Sequence, residues 1–300
     1  MTVRCSSNVW AVILAANDAR NSDNARANLH GSSVPSQYCT FGGRLSLIQR
    51  ALRRALRFVP PSRIMVVVNA DDRCWWEPAL WLLPRWNIIV EPGNASSPFA
   101  ELLSLLLIGK THPSTCVMCL PAKHDVGNED ILEKSLRQAL ANAALVDRVQ
   151  LVDACPDNAG ARTRTQHDWS SGIVVGQMQL ILDQCARQVP DLMQYLRSAV
   201  RHWPDPQVPP AALTEQKMPQ CTTATMRHIL LSEPQHLQLV PVAACGWRDV
   251  SAPGGWVNAL GARRIESARN SDRAERRVVN FGSAAAKLPA PVQRPPGIAN

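Results

Sequence analysis

Short apolar runs rich in β-branched residues alternate with segments of helical period along most of this chain. That alternation restricts it to a mostly parallel sheet covered by helices on both faces. The runs predict strands over 9–15, 64–69, 87–90, 115–120 and 148–152. Between them the spacing predicts helices over 45–58, 78–83, 98–108 and 129–143. The third has a start signal, with Ser97 as N-cap and Pro98 at the first helical position, where a missing N–H costs nothing. In the second half, strands are expected over 172–176 and 237–242 and helices over 179–188, 191–201 and 223–231, with a proline-rich loop over 202–219 and a short helix after Pro253. The expected class is α/β, a doubly wound, mostly parallel Rossmann-like sheet. We read a single domain over residues 1–262, followed by a disordered, basic, proline-rich tail over 263–300.

Charge and cysteine content bound the functional classes. The net charge of +8 invites a nucleic-acid reading, yet the tail's Arg263, Arg264, Arg269, Arg273, Arg276, Arg277, Lys287 and Arg294 face only Glu266, Asp272 and Glu275. A tail of that kind is ordinarily solvated. With two Tyr, four Phe and no interleaving of aromatic and basic residues, no nucleic-acid surface is expected. Nine scattered Cys, several inside apolar runs, suit reduced, buried thiols and a cytoplasmic location. Cys116 and Cys119 form a CxxC, but on a strand positions three apart point to opposite faces, which disfavours a zinc site. The apolar run from Val9 is read as a buried first strand rather than a leader peptide, and no run reaches the length of a membrane span.

Seven segments carry a resemblance when taken in order: WAVILAANDAR, PSQYCTFGGRLSLIQRAL, RIMVVVNADDR, IIVEPGNASSPFAELL, LPAKHDV, DWSSGIVVG and CGWRDVSAPGGWV. Together they are similar to sugar-phosphate nucleotidyltransferases, nearest to bacterial mannose-1-phosphate guanylyltransferases, from about Val9 to Leu260. The resemblance implies a nucleotide bound at the strand ends. It also implies a reaction in which a nucleoside triphosphate and a sugar 1-phosphate give a nucleotide sugar and pyrophosphate, with Mg²⁺ as cofactor. By the same resemblance Ala15, Ala16, Asn17, Gln37, Glu91, Pro92, Asn94 and His124 fall at nucleotide-binding positions, and Asp249 falls at a metal-binding one.

Four departures from the family's pattern point the other way. The glycine-rich loop after the first strand is Ala15, Ala16, Asn17, Asp18, Ala19, Arg20, Asn21, so side chains project where backbone would approach phosphate, and Asn21 stands in place of an Arg. Ser36 replaces the clamp lysine, which removes a charge from the phosphate contacts; Arg20, Arg26 and Arg44 are candidates to replace it. Lys123 replaces the first metal carboxylate, and an ammonium cannot ligate Mg²⁺. The region 153–171 is too short for the family's sugar-binding insertion, although Trp169 and Ser170 keep part of the segment bordering the sugar. Two arrangements fit Lys123: an ammonium in the metal's place paired with Asp249, or a solvated side chain. His124 is expected to be structural. A role as a catalytically impaired homologue is therefore expected, one that binds GTP or another nucleotide or regulates an active paralogue. An active enzyme making GDP-mannose and an unselected remnant remain as the other readings.

Overall fold

The structure, a computed structural model, describes residues 8–15, 26–29, 32–40, 45–91, 98–154, 171–201 and 226–250. The expected tail, Ser97 and the short helix after Pro253 lie outside the described residues, as do Trp169, Ser170 and most of the region 153–171.

In chain order the described elements begin with β1 (Val9–Leu14), β2 (Arg26–Leu29), β3 (Ser32–Pro35), α1 (Leu47–Ala55), β4 (Ile64–Asn69), α2 (Arg73–Ala79) and β5 (Ile88–Glu91). They continue through α3 (Phe99–Thr111), β6 (Cys116–Pro121), β7 (His124–Asp125), α4 (Glu129–Leu145), β8 (Val149–Asp153) and β9 (Ile173–Gln177). Last come α5 (Met178–Gln188), α6 (Pro190–Arg201), α7 (Met226–Leu231), β10 (Leu237–Pro241) and β11 (Arg248–Asp249). Seven strands form one sheet in the order β10-β8-β9-β6-β1-β4-β5. Only β9 runs against its neighbours, pairing antiparallel with both β6 and β8. The mostly parallel, doubly wound expectation is therefore met.

Side-chain alternation along the central strands divides the core in two. Val9, Ala11, Ile13 and Ala15 of β1 join a layer with Ile64, Val66 and Val68 of β4 and Cys116, Met118 and Leu120 of β6. α1 and α4 cover that face, contributing Leu47, Ile48 and Leu52 and then Leu132, Leu136 and Leu140. On the other face Trp10, Val12, Met65, Val67, Val117 and Cys119 pack under α3, α5, α6 and α7. Cys116 and Cys119 thus point in opposite directions, as a two-residue period requires. Burial pushes the Cys119 thiol up from its ordinary range, and raises those of Cys39 to about 11 and Cys185 to about 12. No helix among the described residues is long and apolar enough to cross a membrane.

Two local expectations need correction, and one hairpin was not expected at all. α2 starts at Arg73, not at 78: the 3₁₀ turn Ala70–Asp72 leads straight into it, with the Asn69 side chain accepting the Asp71 N–H at 2.8 Å. Pro78 then falls one residue before the helix ends, where it interrupts little. α3 begins at Phe99 with Pro98 in the cap position, one residue later than expected. The hairpin of β2 and β3 had no forecast, because ARANLHGSSVPS lacks both an apolar alternation and a two-residue turn signature.

Crossover geometry fixes where a ligand crevice falls. The chain leaves β1 for β4 through α1 on the first face, and returns from β5 to β6 through α3 on the second. Because β4 and β6 lie on opposite sides of β1, the topology switches between β1 and β6. In open α/β sheets, ligands bind outside the carboxyl ends of the strands at such a switch.

Candidate functional site at the carboxyl ends of β1 and β6

Hydrogen bonds continue past both strands at the switch. The Ala15 N–H donates to the Val67 carbonyl and the Ala122 N–H to the Leu14 carbonyl, each at 2.9 Å, so the first residue beyond each strand is still held by the sheet. The Ala15 carbonyl in turn accepts the Gln37 side-chain amide at 2.9 Å. That amide also lies 3.5 Å from an oxygen of Asp72, a buried carboxylate just beyond β4. Gln37 sits in a single 3₁₀ turn, Ser36–Tyr38, that follows β3 and is buried throughout. Burial first, and the neighbouring Asp72 second, push the Tyr38 phenol far above its ordinary range. Ser36 is 0% exposed, and its hydroxyl has no hydrogen-bond partner among the described residues. In this arrangement Ser36 is packing rather than surface.

At the end of β6 the chain turns through Pro121, Ala122 and Lys123 into β7, which pairs antiparallel with β11. Asp249 faces His124 in that bridge and Arg248 faces Asp125, while the Val250 N–H donates to the Lys123 carbonyl at 3.1 Å. A second tie comes from Asn128, whose N–H donates to the Cys245 carbonyl at 2.8 Å. The bridge therefore sets Lys123, His124 and Asp249 side by side. Lys123 is half-buried and His124 is buried, with the Trp247 ring edge-on to the imidazole at 5.0 Å. Burial holds the His124 pKa well below its ordinary value; Asp249 pulls it back up, and Arg54 and Lys123 push it further down. The ring is neutral at pH 7, and its Nδ1 has no hydrogen-bond partner among the described residues.

Asp125, the next residue, has a fully buried side chain. One oxygen accepts from Arg50 at 2.8 Å, and the Arg248 guanidinium approaches the other to 3.6 Å. Behind it Arg54, 2% exposed, holds Glu129 through two bonds of 2.7 and 2.8 Å. Farther out Arg57 bridges Asp130 at 2.8 Å and Glu133 at 2.6 Å. Arg50 and Arg54 share one face of α1 by their spacing of four, Arg57 follows just past its end, and their acidic partners lie on β7 and the first turns of α4. This ladder anchors the turn after β6 to the first face of the sheet.

Of the candidates read from sequence, Ala15, Gln37, Lys123, His124 and Asp249 come to this end of the sheet. Glu91 closes β5, at the edge and three strands from β6. Ala16, Asn17, Asn21, Pro92 and Asn94 lie outside the described residues, as do Arg20 and Arg44 among the candidate phosphate contacts. Arg50, Asp125, Trp247 and Arg248 went unrecognised in the sequence. Among the described residues, no three His, Cys, Asp or Glu side chains gather as a metal-holding group.

No family model matches the sequence, and no curated protein matches it. Solved structures do. A mannose-1-phosphate geranyltransferase from Thermus thermophilus aligns with a TM-score of 0.61 at 15% identity, over 81% of this chain and 76% of the other. The chain has the fold of the sugar-phosphate nucleotidyltransferases. A Helicobacter pylori structure described as a mannose-6-phosphate isomerase aligns with a TM-score of 0.55 at 11% identity, over 81% of this chain and all of that one. A 4-diphosphocytidyl-2C-methyl-D-erythritol synthase from Anaerococcus prevotii gives 0.51 at 11% identity, over 86% and 97%. At such identities the likeness is one of fold, and a fold names no substrate.

Proposed function

We propose that this chain is a nucleotidyltransferase homologue that binds a nucleoside phosphate over β1 and β6 and has lost most or all of its transfer chemistry. One observation carries the reading: the turn after β6 presents Lys123 at the switch point, while the carboxylate two residues on, Asp125, is engaged by Arg50 and Arg248. Mg²⁺ needs hard oxygen ligands in near-octahedral array, and this donor set does not suit it. Asp249 alone makes a poor site. Phosphoryl chemistry depends almost wholly on positioning and neutralising charge on the polyphosphate. Each positioned charge commonly supplies a few kcal/mol of the barrier lowering, so the exchange of a carboxylate for Lys123 and of a clamp lysine for Ser36 acts on the same quantity twice. Burial of Ser36 supports this reading, because a wholly enclosed hydroxyl offers nothing to a phosphate.

Resemblance to mannose-1-phosphate guanylyltransferases makes GTP and mannose 1-phosphate the substrates to try, and an active paralogue the partner such a protein would regulate. Purified protein incubated with GTP, mannose 1-phosphate and Mg²⁺ is expected to release no pyrophosphate above background. Robust release would overturn the proposal in favour of an active transferase, the reading that the placement of Asp249 beside β7 supports.

A further inference from the structure

The misfit with Mg²⁺ has a positive side. We infer that Lys123 serves as a tethered counter-cation, so that the crevice over β1 and β6 binds the phosphates of a nucleoside di- or triphosphate without a divalent metal. The inference rests on the nucleotide-binding reading above and adds to it how the charge is met.

Three features of the strand end support it. First, Lys123 belongs to the turn that starts at Ala122, whose N–H is bonded to the last carbonyl of β1, so its backbone stands directly over the switch point. Its own carbonyl is fixed by the Val250 N–H, and the turn is pinned from below by Arg50 through Asp125. A lysine on such a rigid base gives up less conformational freedom on binding than one on a mobile loop.

Second, cations gather at the turn. Arg50 and Arg248 both reach Asp125, the residue two beyond Lys123, so the one carboxylate of β7 is already met by side chains other than Lys123. Third, the neighbouring strand packs closely on the same turn. Gly172, just before β9, has a φ of 67° and lies against Pro121 at the end of β6, where a Cβ would come within 3.2 Å of the proline ring. Only glycine takes that conformation freely, so the chain entering β9 lies close against the residue two before Lys123 and helps hold the turn.

Chemically, one ammonium differs from a divalent ion in two ways that an experiment can read. It cannot be chelated away, and it loses its effect on substitution. Isothermal titration of the full chain with GTP and with GDP, in Mg²⁺ and separately in EDTA, is expected to give affinities within about threefold of each other. Lys123→Ala is expected to weaken both at least tenfold, with circular dichroism checking that the variant is folded. Lys123→Arg, which keeps the charge, should retain most of the binding and so separates loss of charge from loss of fold. Wild-type binding that appears only with Mg²⁺ would overturn the tethered-cation inference and leave the nucleotide-binding reading standing. Unchanged affinity in Lys123→Ala would also overturn the inference. No binding of GTP, GDP, ATP, CTP or UTP under either condition would overturn both.

Discussion

The two faces of the sheet are held in different ways. On the face covered by α3, α5, α6 and α7 the contact is almost wholly apolar: α3 reads FAELLSLLLIGKT, and Leu102, Leu103 and Leu105 are at most 1% exposed. A helix buried on nearly all sides needs no polar stripe. On the face covered by α1 and α4 an apolar layer is edged by the arginine ladder from Arg50 to Arg57. α1 is capped by a reciprocal Ser46–Gln49 box, and α4 by the Asn128 side chain accepting from Asp130 and Ile131 at 3.1 and 3.3 Å. The apolar face supplies stability; the ladder side fixes the position of the turn that carries Lys123. Hydrophobic contact is non-directional, whereas a guanidinium gripping a carboxylate through two bonds sets both distance and angle.

The sharpest way to break this comparison is to open the apolar face. Leu105→Ala is expected to cost about 3–4 kcal/mol from lost transfer energy and the cavity left behind, read as a lower urea midpoint, with Lys123-dependent nucleotide affinity preserved in the folded fraction. If nucleotide binding fell as steeply as stability, the division of labour would fail. Next in size is Arg54→Ala, which strands Glu129 beside a buried gap and is expected to cost about 3 kcal/mol. The paired variant Arg54→Met with Glu129→Leu should recover much of that stability while leaving the turn less well fixed.

A smaller effect comes with acid. His124 has a folded pKa depressed to about 4, against an ordinary value near 6.5. Between those limits the unfolded chain binds a proton that the folded chain refuses, so stability is intact above about pH 6.5 and drains away as pH falls toward 4. His124→Gln should flatten that part of a denaturation series measured from pH 7.5 to 4.5. An unchanged pH slope would show that the imidazole is not held neutral. Smallest of all, Arg57→Ala removes the outer rung, whose Asp130 partner is largely exposed, and should cost under about 1 kcal/mol, diminishing further in salt.

Much of the fold was legible because β1, β4 and β6 are almost wholly apolar runs and β8 has three apolar residues in five, and their bounds fall within a residue of those read from the sequence. α2 was misplaced because Pro78 reads as a helix start when its surroundings are unknown, while the local turn at Asn69 sets the real start. β7 and β11 were invisible for a different reason: two residues each carry no periodicity, and only their mutual pairing makes them strands. The site was partly legible. Lys123 and Asp249 could be singled out by resemblance, and the structure sets them beside the same histidine. Arg50 and Arg248 could not, since an arginine on an amphipathic helix or in a polar segment looks solvated until its acidic partner is located.

Pairing of β11 with β7 also bears on how the molecule is assembled. Residues 248–250 close a turn formed by residues 122–126, so this end of the sheet stays unfinished until more than a hundred further residues have been made. The sheet order compounds this, because β9, on the other side of β6, is likewise late in the chain. Contacts this distant in sequence close slowly. During synthesis the first six elements can settle around α1 while the turn bearing Lys123 is still open, and a chain halted before Trp247 would have its central layers yet an unpaired turn after β6.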